Sequence, residues 1–155
     1  MFYLIGLAIF LFSVASSFLL LNGNSWDFID LATFILIVIP LAGILTATQN
    51  WKVFGIGFKA VILPKTTISD DMRGKAASLF RFLSKSTAFI VVIHTLVFII
   101  VMALGIDWQE PETIGRIGGS IAAATIMPLY GLILIAAVFE PIVIILKKRG
   151  DKDRK

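Results

Sequence analysis

Five residues that could bind or conduct a cation lie inside long apolar stretches of this chain. His94 and Thr95 are adjacent in the stretch 87–106, whereas Thr125, Pro128 and Tyr130 fall close together in the stretch 117–146. Polar groups are costly in a bilayer, so they usually face a helix-bundle interior or line an ion pathway. These five residues are therefore the candidates for an ion pathway.

Pro128 and His94 each have a functional and a structural interpretation. The ring of Pro128 clashes with the carbonyl of Ala124, so we expect a kink. The freed carbonyl and the Thr125 hydroxyl could form a small patch for a cation or water, or neighbouring helices could simply satisfy the carbonyl. His94 is a proton-relay candidate by residue type. A hydrogen bond from His94 to a neighbouring helix would explain it equally well.

The lack of acidic residues within the two apolar stretches argues against a proton carrier that works without a partner. Neither stretch holds an Asp or Glu apart from Glu140, which is only six residues before Leu146. A proton carrier usually needs a titratable group at mid-membrane. With no Cys, a single His and no paired carboxylates in a plausible cleft, the sequence predicts neither an enzyme nor a metal site nor a cofactor. A transported cation, H⁺ or Na⁺, is the one small ligand we expect.

The elements that must position these residues are four apolar segments. The chain has 155 residues, of which 58% are hydrophobic and only 15% are charged. We place transmembrane helices at 2–21, 31–48, 87–106 and 117–146, since about 20 apolar residues span a bilayer core. The expected fold is all-α, a single polytopic membrane domain with short amphipathic cytoplasmic helices between the second and third spans.

The positive charges predict the orientation. Thirteen of the 14 Lys and Arg residues lie in 52–85 and 147–155, whereas the turns 22–30 and 107–116 are acidic or nearly uncharged. Cytoplasmic loops carry the excess of Lys and Arg, so both termini should be inside. The basic residues flank apolar segments, so we expect contacts with anionic lipid and no binding of nucleic acid.

The loop 49–86 should contain two helices. In the first, Trp51, Phe54, Phe58 and Ile62 form one stripe, which suits a helix in the membrane interface. Ser69 is the expected N-cap of the second helix. Asp70 and Asp71 follow in its first turn, where they complement the helix dipole. Its apolar positions recur at helical spacing and predict packing on a neighbour or on lipid, with a specific docking surface as the alternative; they are Met72, Ala76, Leu79, Phe80 and Leu83. The charged candidates for such cytoplasmic contacts are Arg73, Lys75, Arg81, Lys85 and Glu140.

The fourth segment also contains a run of small residues, which let helix backbones approach closely. We therefore expect its outer half to be buried against protein. The candidate helix-packing residues are Gly115, Gly118, Gly119, Ala123 and Gly131.

The order and spacing of several short motifs resemble the MotA/TolQ/ExbB family of ion-driven motor subunits, and MotA most closely. The motifs are Leu4-Ile5-Gly6-Leu7, Leu19-Leu20-Leu21-Asn22-Gly23 and Phe28-Ile29-Asp30 near the first turn, Ala76-Ala77-Ser78-Leu79-Phe80-Arg81-Phe82-Leu83-Ser84-Lys85 in the loop, and Ser120-Ile121-Ala122-Ala123-Ala124, Leu129-Tyr130-Gly131 and Phe139-Glu140-Pro141-Ile142 in the fourth segment. The resemblance is weak for each motif and covers nearly the whole chain.

The resemblance implies an assembly in the bacterial inner membrane. Family members form a homo-oligomeric ring, typically a pentamer, around the transmembrane helices of a MotB-, ExbD- or TolR-like partner dimer. That partner supplies the ion-carrying Asp, and ions pass between it and the third and fourth helices of the ring. Thr95 falls where the family has its channel Thr in the third helix, and Thr125 lies about a turn before the usual Thr of the fourth helix.

The chain also departs from the family pattern. Pro128 and His94 stand where the family has a Thr and a Gly, and the loop 49–86 is much shorter than the MotA cytoplasmic domain. A non-conducting scaffold of MotA ancestry is therefore a second hypothesis. A small four-helix transporter is a third, although small multidrug transporters carry a Glu in their first helix and this chain has none there.

Overall fold

Helices make up all the regular structure in the part of the chain that is described. A computed structural model defines residues 2–20, 31–63, 68–105 and 113–153. The elements in chain order are α1 Phe2–Leu20, α2 Leu31–Ala47, α3 Trp51–Ile62, α4 Asp70–Leu104, α5 Thr113–Ile133, a π-helical segment Leu134–Phe139, and α6 Glu140–Asp153. The all-helical prediction is confirmed for these ranges. The predicted outer turn 22–30 and residues 107–112 of the predicted turn 107–116 lie outside them, whereas residues 113–116 are helical and belong to α5, which begins earlier than predicted.

Two stretches of helix are long and apolar enough to cross a membrane. They are α4 and the combined stretch Ala124–Gly150. Helices α2 and α3 would add a third span if that bent pair counts as one, and Tyr3–Ser16 forms a shorter apolar helix. Such lengths are typical of a membrane protein. The four spans and the orientation of the termini stay predictions.

A sharp corner joins α2 to α3. The chain turns by 116° between them. Gln49 adopts a left-handed conformation with φ 54°, and the Asn50 N–H donates to the Leu45 carbonyl at 3.0 Å. This bonding closes the end of α2 as a Schellman motif does, with Gln in the place where Gly is usual. The Trp51 indole N–H also donates to the Thr46 hydroxyl at 3.1 Å, which ties the first turn of α3 to α2.

Helix α4 joins the predicted second cytoplasmic helix to the predicted third span without a break. Ser69 is its N-cap, as predicted, because its side chain accepts from the Met72 N–H at 3.4 Å. Asp70 and Asp71 lie in the first turn, where negative charge favours the helix dipole. Helix α4 contains no Pro, and its single Gly, Gly74, is tolerated within a helix, so nothing in the sequence ends the 35-residue helix before Gly105. The predicted boundary at 86 is therefore not a helix boundary.

The fourth segment deviates from α-helical geometry next to Pro141. Helix α5 continues through Pro128, whereas the π-helical segment occupies Leu134–Phe139. Pro141 has no N–H to offer the carbonyl of Ala137, and its ring crowds that carbonyl. The wider turn relieves the crowding, because π-bulges are a usual way for helices to accommodate such a site. The Tyr3 hydroxyl of α1 donates to the Ala137 oxygen at 3.3 Å.

The core centres on Phe80 of α4, which is fully buried. Its ring lies 5.4 Å from Phe54 and 5.3 Å from Phe58 of α3, and 6.0 Å from Phe139 of the π-helical segment. The side chain of Arg149 in α6 donates to the Ala60 carbonyl of α3. We call this region the packed end: α3, residues 70–91 of α4, the π-helical segment and α6. Two of the predicted interfacial side chains, Phe54 and Phe58, thus pack against protein.

The rest of α4 has no buried residue. From 92 to 104 its side chains are exposed, except for half-buried His94, Thr95 and Met102. Leu104 is 82% exposed. We call residues 92–104 the exposed end. An apolar surface of this size would aggregate in water, so we expect it to face lipid tails or other protein chains.

Candidate functional site

The candidate ion-pathway residues lie where α4 and α5 pack side by side. A Cβ placed on Gly131 would lie only 2.3 Å from Val91 Cγ2, so the two helices meet closely there. Phe80 contacts Phe139, and Arg73 lies beside Gly150. Later residues of α4 therefore contact earlier residues of the fourth segment, so the two helices run antiparallel. Gly131 is the predicted helix-packing residue for which a close approach is observed.

Thr95 lies one turn beyond Val91 on α4, at about the height of Met127 and Pro128 in α5. Its hydroxyl oxygen is buried and has no hydrogen-bond partner. Several other hydroxyl groups in helices or directly after them donate to the carbonyl four residues earlier; these are Ser16, Thr46, Thr48, Thr87 and Thr125. Leaving a buried hydroxyl unbonded costs about 1–3 kcal/mol. Thr95 therefore keeps an unused polar atom between two apolar helices.

His94, its neighbour, is bonded within its own helix. The ring Nδ1 lies 2.9 Å from the Ile90 carbonyl oxygen. For this contact to be a hydrogen bond, Nδ1 must carry the proton and donate it, which leaves Nε2 as the free ring nitrogen. The side chain is half-buried. A hydrogen bond to a neighbouring helix was one of the two interpretations of His94, and the bond observed is instead made within α4.

The other candidates in the fourth segment do not converge on Thr95 as hydrogen-bond partners. The Thr125 hydroxyl donates to the Ile121 carbonyl at 2.8 Å, and the side chain is exposed. Pro128 is half-buried within a continuous helix. Tyr130 is half-buried against the core. In the proposed patch of Thr125 and the Ala124 carbonyl, the Thr125 hydroxyl therefore already donates to the Ile121 carbonyl.

The remaining predicted packing residues belong to the first half of α5. Gly115, Gly118, Gly119 and Ala123 are helical, but their surroundings lie outside the described side chains. Their role in burying the outer half of the fourth segment stays a prediction.

The predicted cytoplasmic contact residues fall into two groups at the packed end. Arg73 pairs with Asp70 at 3.0 Å, and Lys75 pairs with Asp71 at 2.6 Å. Arg81 and Lys85 are exposed on α4. The described part of the chain offers neither of them a carboxylate partner.

Glu140 is half-buried and directly follows the π-helical segment. Its N–H donates to the Ile135 carbonyl, five residues earlier. Among the described residues, no three His, Asp or Glu side chains come together as a metal site would need.

Three residues that the sequence analysis did not single out, Gly57, Ser84 and Tyr3, are buried or make contacts between distant helices. Gly57 of α3 faces Phe80, and a Cβ there would lie 2.4 Å from the ring. Ser84 has a second buried hydroxyl without a partner. It precedes Thr95 by 11 residues, which is close to three full turns, so both lie on one face of α4. This 11-residue spacing was the sequence signal that could have indicated a shared helix face for the two hydroxyl groups. Tyr3 offered no signal, because its partner Ala137 is 134 residues away.

Comparisons with known proteins add no relative. No family model, curated protein or solved structure matches the chain.

Proposed function

We propose that this chain is a ring-forming subunit of an ion-driven membrane channel or motor of the MotA/TolQ/ExbB type. It would assemble as a homo-oligomer, such as a pentamer, in the bacterial inner membrane. A MotB-, ExbD- or TolR-like partner at its centre would supply the ion-carrying Asp. The observation that carries the proposal is the unbonded, buried hydroxyl of Thr95 on α4.

The exposed end of α4 supports an assembly. Large apolar side chains surround the helix from 92 to 104, yet Thr95 on the same turns keeps a polar oxygen. Lipid tails cannot satisfy such an oxygen, whereas a cation, its water or a polar group of a neighbouring chain can. Packing of further subunits around this region would cover the apolar surface and give the hydroxyl a function.

The distribution of carboxylates supports a shared mechanism. The sequence has no Asp or Glu between 87 and 106 and none between 117 and 139. An ion that crosses here therefore needs an acid from elsewhere if it is to be carried by a carboxylate. The hydroxyl of Thr95 would then hold the ion or its water as the ion passes to and from that acid.

Flux measurements in liposomes test this mechanism. The chain would be reconstituted with and without a single-span partner that carries a membrane Asp, for which the neighbouring gene is the first place to look. We expect flux only with both chains. Thr95→Val should lower that flux at least about tenfold, the effect of losing roughly 1.4 kcal/mol of ion stabilisation.

Thr87→Val is the matched control for that measurement. Thr87 lies on the same helix and is buried, but its hydroxyl donates to the Leu83 carbonyl at 2.8 Å. We expect it to leave the flux of the assembled complex unchanged. Flux from this chain alone, or equal flux losses in the two variants, would contradict the proposal.

A non-conducting scaffold of the same ancestry is the alternative. The bonds of His94 to Ile90 and of Thr125 to Ile121 favour it, because both polar groups are engaged within their own helices. Particle images of the purified complex combined with the flux assay separate the two hypotheses. A ring that contains partner helices but conducts no ions would identify a scaffold.

A further inference from the structure

A basic groove runs between α4 and α6 at the packed end. Its volume is about 420 Å³, and small residues of α4, Gly74, Ala77 and Ser78, line its floor. Three cationic side chains border it, Arg81 and Lys85 from α4 and Lys147 from α6. The groove therefore gathers positive charge from two separate parts of the sequence.

The charges in this groove differ from those beside it. Arg73 and Lys75 each have an aspartate partner on their own helix. Arg81, Lys85 and Lys147 are exposed, and none of the carboxylates in the described ranges lies within salt-bridge distance of them. Their positive field is thus available to a ligand. Guanidinium and ammonium groups bind phosphate oxygens well.

Gly74 keeps the floor of the groove open. A Cβ at this position would meet nothing within 4 Å, so no neighbour requires the glycine for close packing. Glycine within a helix is unfavourable by roughly 0.5–1 kcal/mol relative to alanine. The structure therefore retains an unfavourable residue whose visible effect is to leave room in the groove.

The groove also lies at the end of an apolar surface. Lys147 directly follows the apolar fourth segment, and Arg81 and Lys85 directly precede the apolar part of α4. An exposed apolar stripe continues from the groove along α4, since positions separated by three, four or seven residues share one helix face. Its members are Phe82, Phe89, Ile93, Leu96 and Ile100.

We propose that this groove binds the phosphate headgroup of an anionic phospholipid. The phosphate would contact Arg81, Lys85 and Lys147, and the acyl chains would follow the apolar stripe of α4. Continuity between cationic groove and apolar stripe favours a lipid over a free phosphate or an acidic soluble protein, neither of which would use the stripe. The site lies in the leaflet at the basic side of the protein, and it does not depend on ion conduction.

The test measures the phospholipid that stays bound to purified protein. Wild-type protein would be equilibrated in detergent with equal amounts of phosphatidylglycerol and phosphatidylcholine, and retained lipid counted by native mass spectrometry. The triple variant Arg81→Gln, Lys85→Gln, Lys147→Gln should bind phosphatidylglycerol at least about tenfold more weakly, since each basic residue near an anionic lipid surface contributes appreciably. Gly74→Leu, which fills the floor and changes no charge, should also lower retention.

Controls address charge and ligand source. The matched triple variant Lys52→Gln, Lys59→Gln, Lys148→Gln removes equal charge outside the groove and should retain phosphatidylglycerol like wild type. Excess glycerol phosphate should not displace the lipid. Equal losses in the two triple variants, unchanged binding in both the groove triple variant and Gly74→Leu, or full displacement by glycerol phosphate would each overturn the proposal.

Discussion

The two ends of α4 share one continuous helix but have opposite surroundings. Residues 70–91 include nine buried positions, among them Phe80 and Thr87, whereas residues 92–104 include none. Helix α3, the π-helical segment and α6 all pack against the first part. The second part has α5 beside it and large exposed side chains elsewhere.

This difference distinguishes the part of the fold that this chain packs by itself from the part that lipid or other protein chains must cover. The packed end has an aromatic cluster and a hydrogen bond between distant segments, from Arg149 to the Ala60 carbonyl, as an independent core does. The exposed end has a large apolar surface and the unsatisfied Thr95 hydroxyl, whereas the unsatisfied hydroxyl of the packed end, Ser84, is enclosed within the core. Stability should therefore depend on the packed end, while assembly and function should depend on the exposed end.

Removing the central ring of the packed end should have the largest effect. Phe80→Ala should lower the free energy of unfolding by roughly 3–5 kcal/mol, because Phe80 is fully buried among three other rings. Phe89→Ala on the same helix should cost far less, since that ring is 69% exposed. Denaturant titration of the two variants in detergent micelles checks this. Similar losses would mean that burial of the Phe80 ring is not what stabilises the fold.

A methyl group at the contact between α4 and α5 should have the next largest effect. Gly131→Ala should destabilise the fold by about 1–3 kcal/mol, because the new Cβ overlaps the stiff, β-branched Val91. Gly43→Ala adds the same methyl group where nothing lies within 4 Å, so it should be neutral or slightly stabilising. The same titration compares them. An equally destabilised Gly43→Ala protein would rule out the close approach as the cause.

Thr95 and Thr87 should respond to valine in opposite directions. In the isolated chain, Thr95→Val should raise the free energy of unfolding by about 1 kcal/mol, because it removes a buried oxygen that lacks a partner. Thr87→Val should lower it by a similar amount, since it removes a bonded hydroxyl. Thermal unfolding of the two proteins measures the difference. A loss of stability in Thr95→Val would show that its hydroxyl is bonded in the isolated chain.

The link from α1 to the π-helical segment should have the smallest effect. Tyr3→Phe should cost roughly 0.5 kcal/mol, the low end for a hydrogen bond, because 3.3 Å is long for an O–H···O contact. Hydrogen exchange should speed up in α1 and at 134–139. Phe12→Leu, at a 75% exposed position of α1, serves as the control and should leave exchange at 134–139 unchanged. Unaltered exchange in Tyr3→Phe would show that the hydroxyl contributes no restraint.

Local patterns predicted the helices well and their partners poorly. The Ser69 cap, the acidic first turn of α4 and the apolar face at Ala76, Leu79, Phe80 and Leu83 all follow from short-range rules, and the structure confirms them. The π-helical segment before Pro141 was not predicted, whereas the kink expected at Pro128 stays a prediction, since α5 continues through that residue. The apolar stripe of α3 was predicted, but periodicity does not say whether lipid or protein covers it: Phe54 and Phe58 pack against Phe80, and the interfacial position of the helix stays a prediction.

The sequence by itself determined that this chain is helical, contains long apolar stretches and concentrates its positive charge in two regions. Those properties depend on each residue and its near neighbours, so composition and spacing suffice. Only the tertiary structure decided that Phe80 is the centre of the core and that Lys147 joins Arg81 and Lys85 in one groove. It also decided that the Thr95 hydroxyl lacks a partner. Each of these depends on segments far apart in the chain, whose contacts exist only once the helices pack.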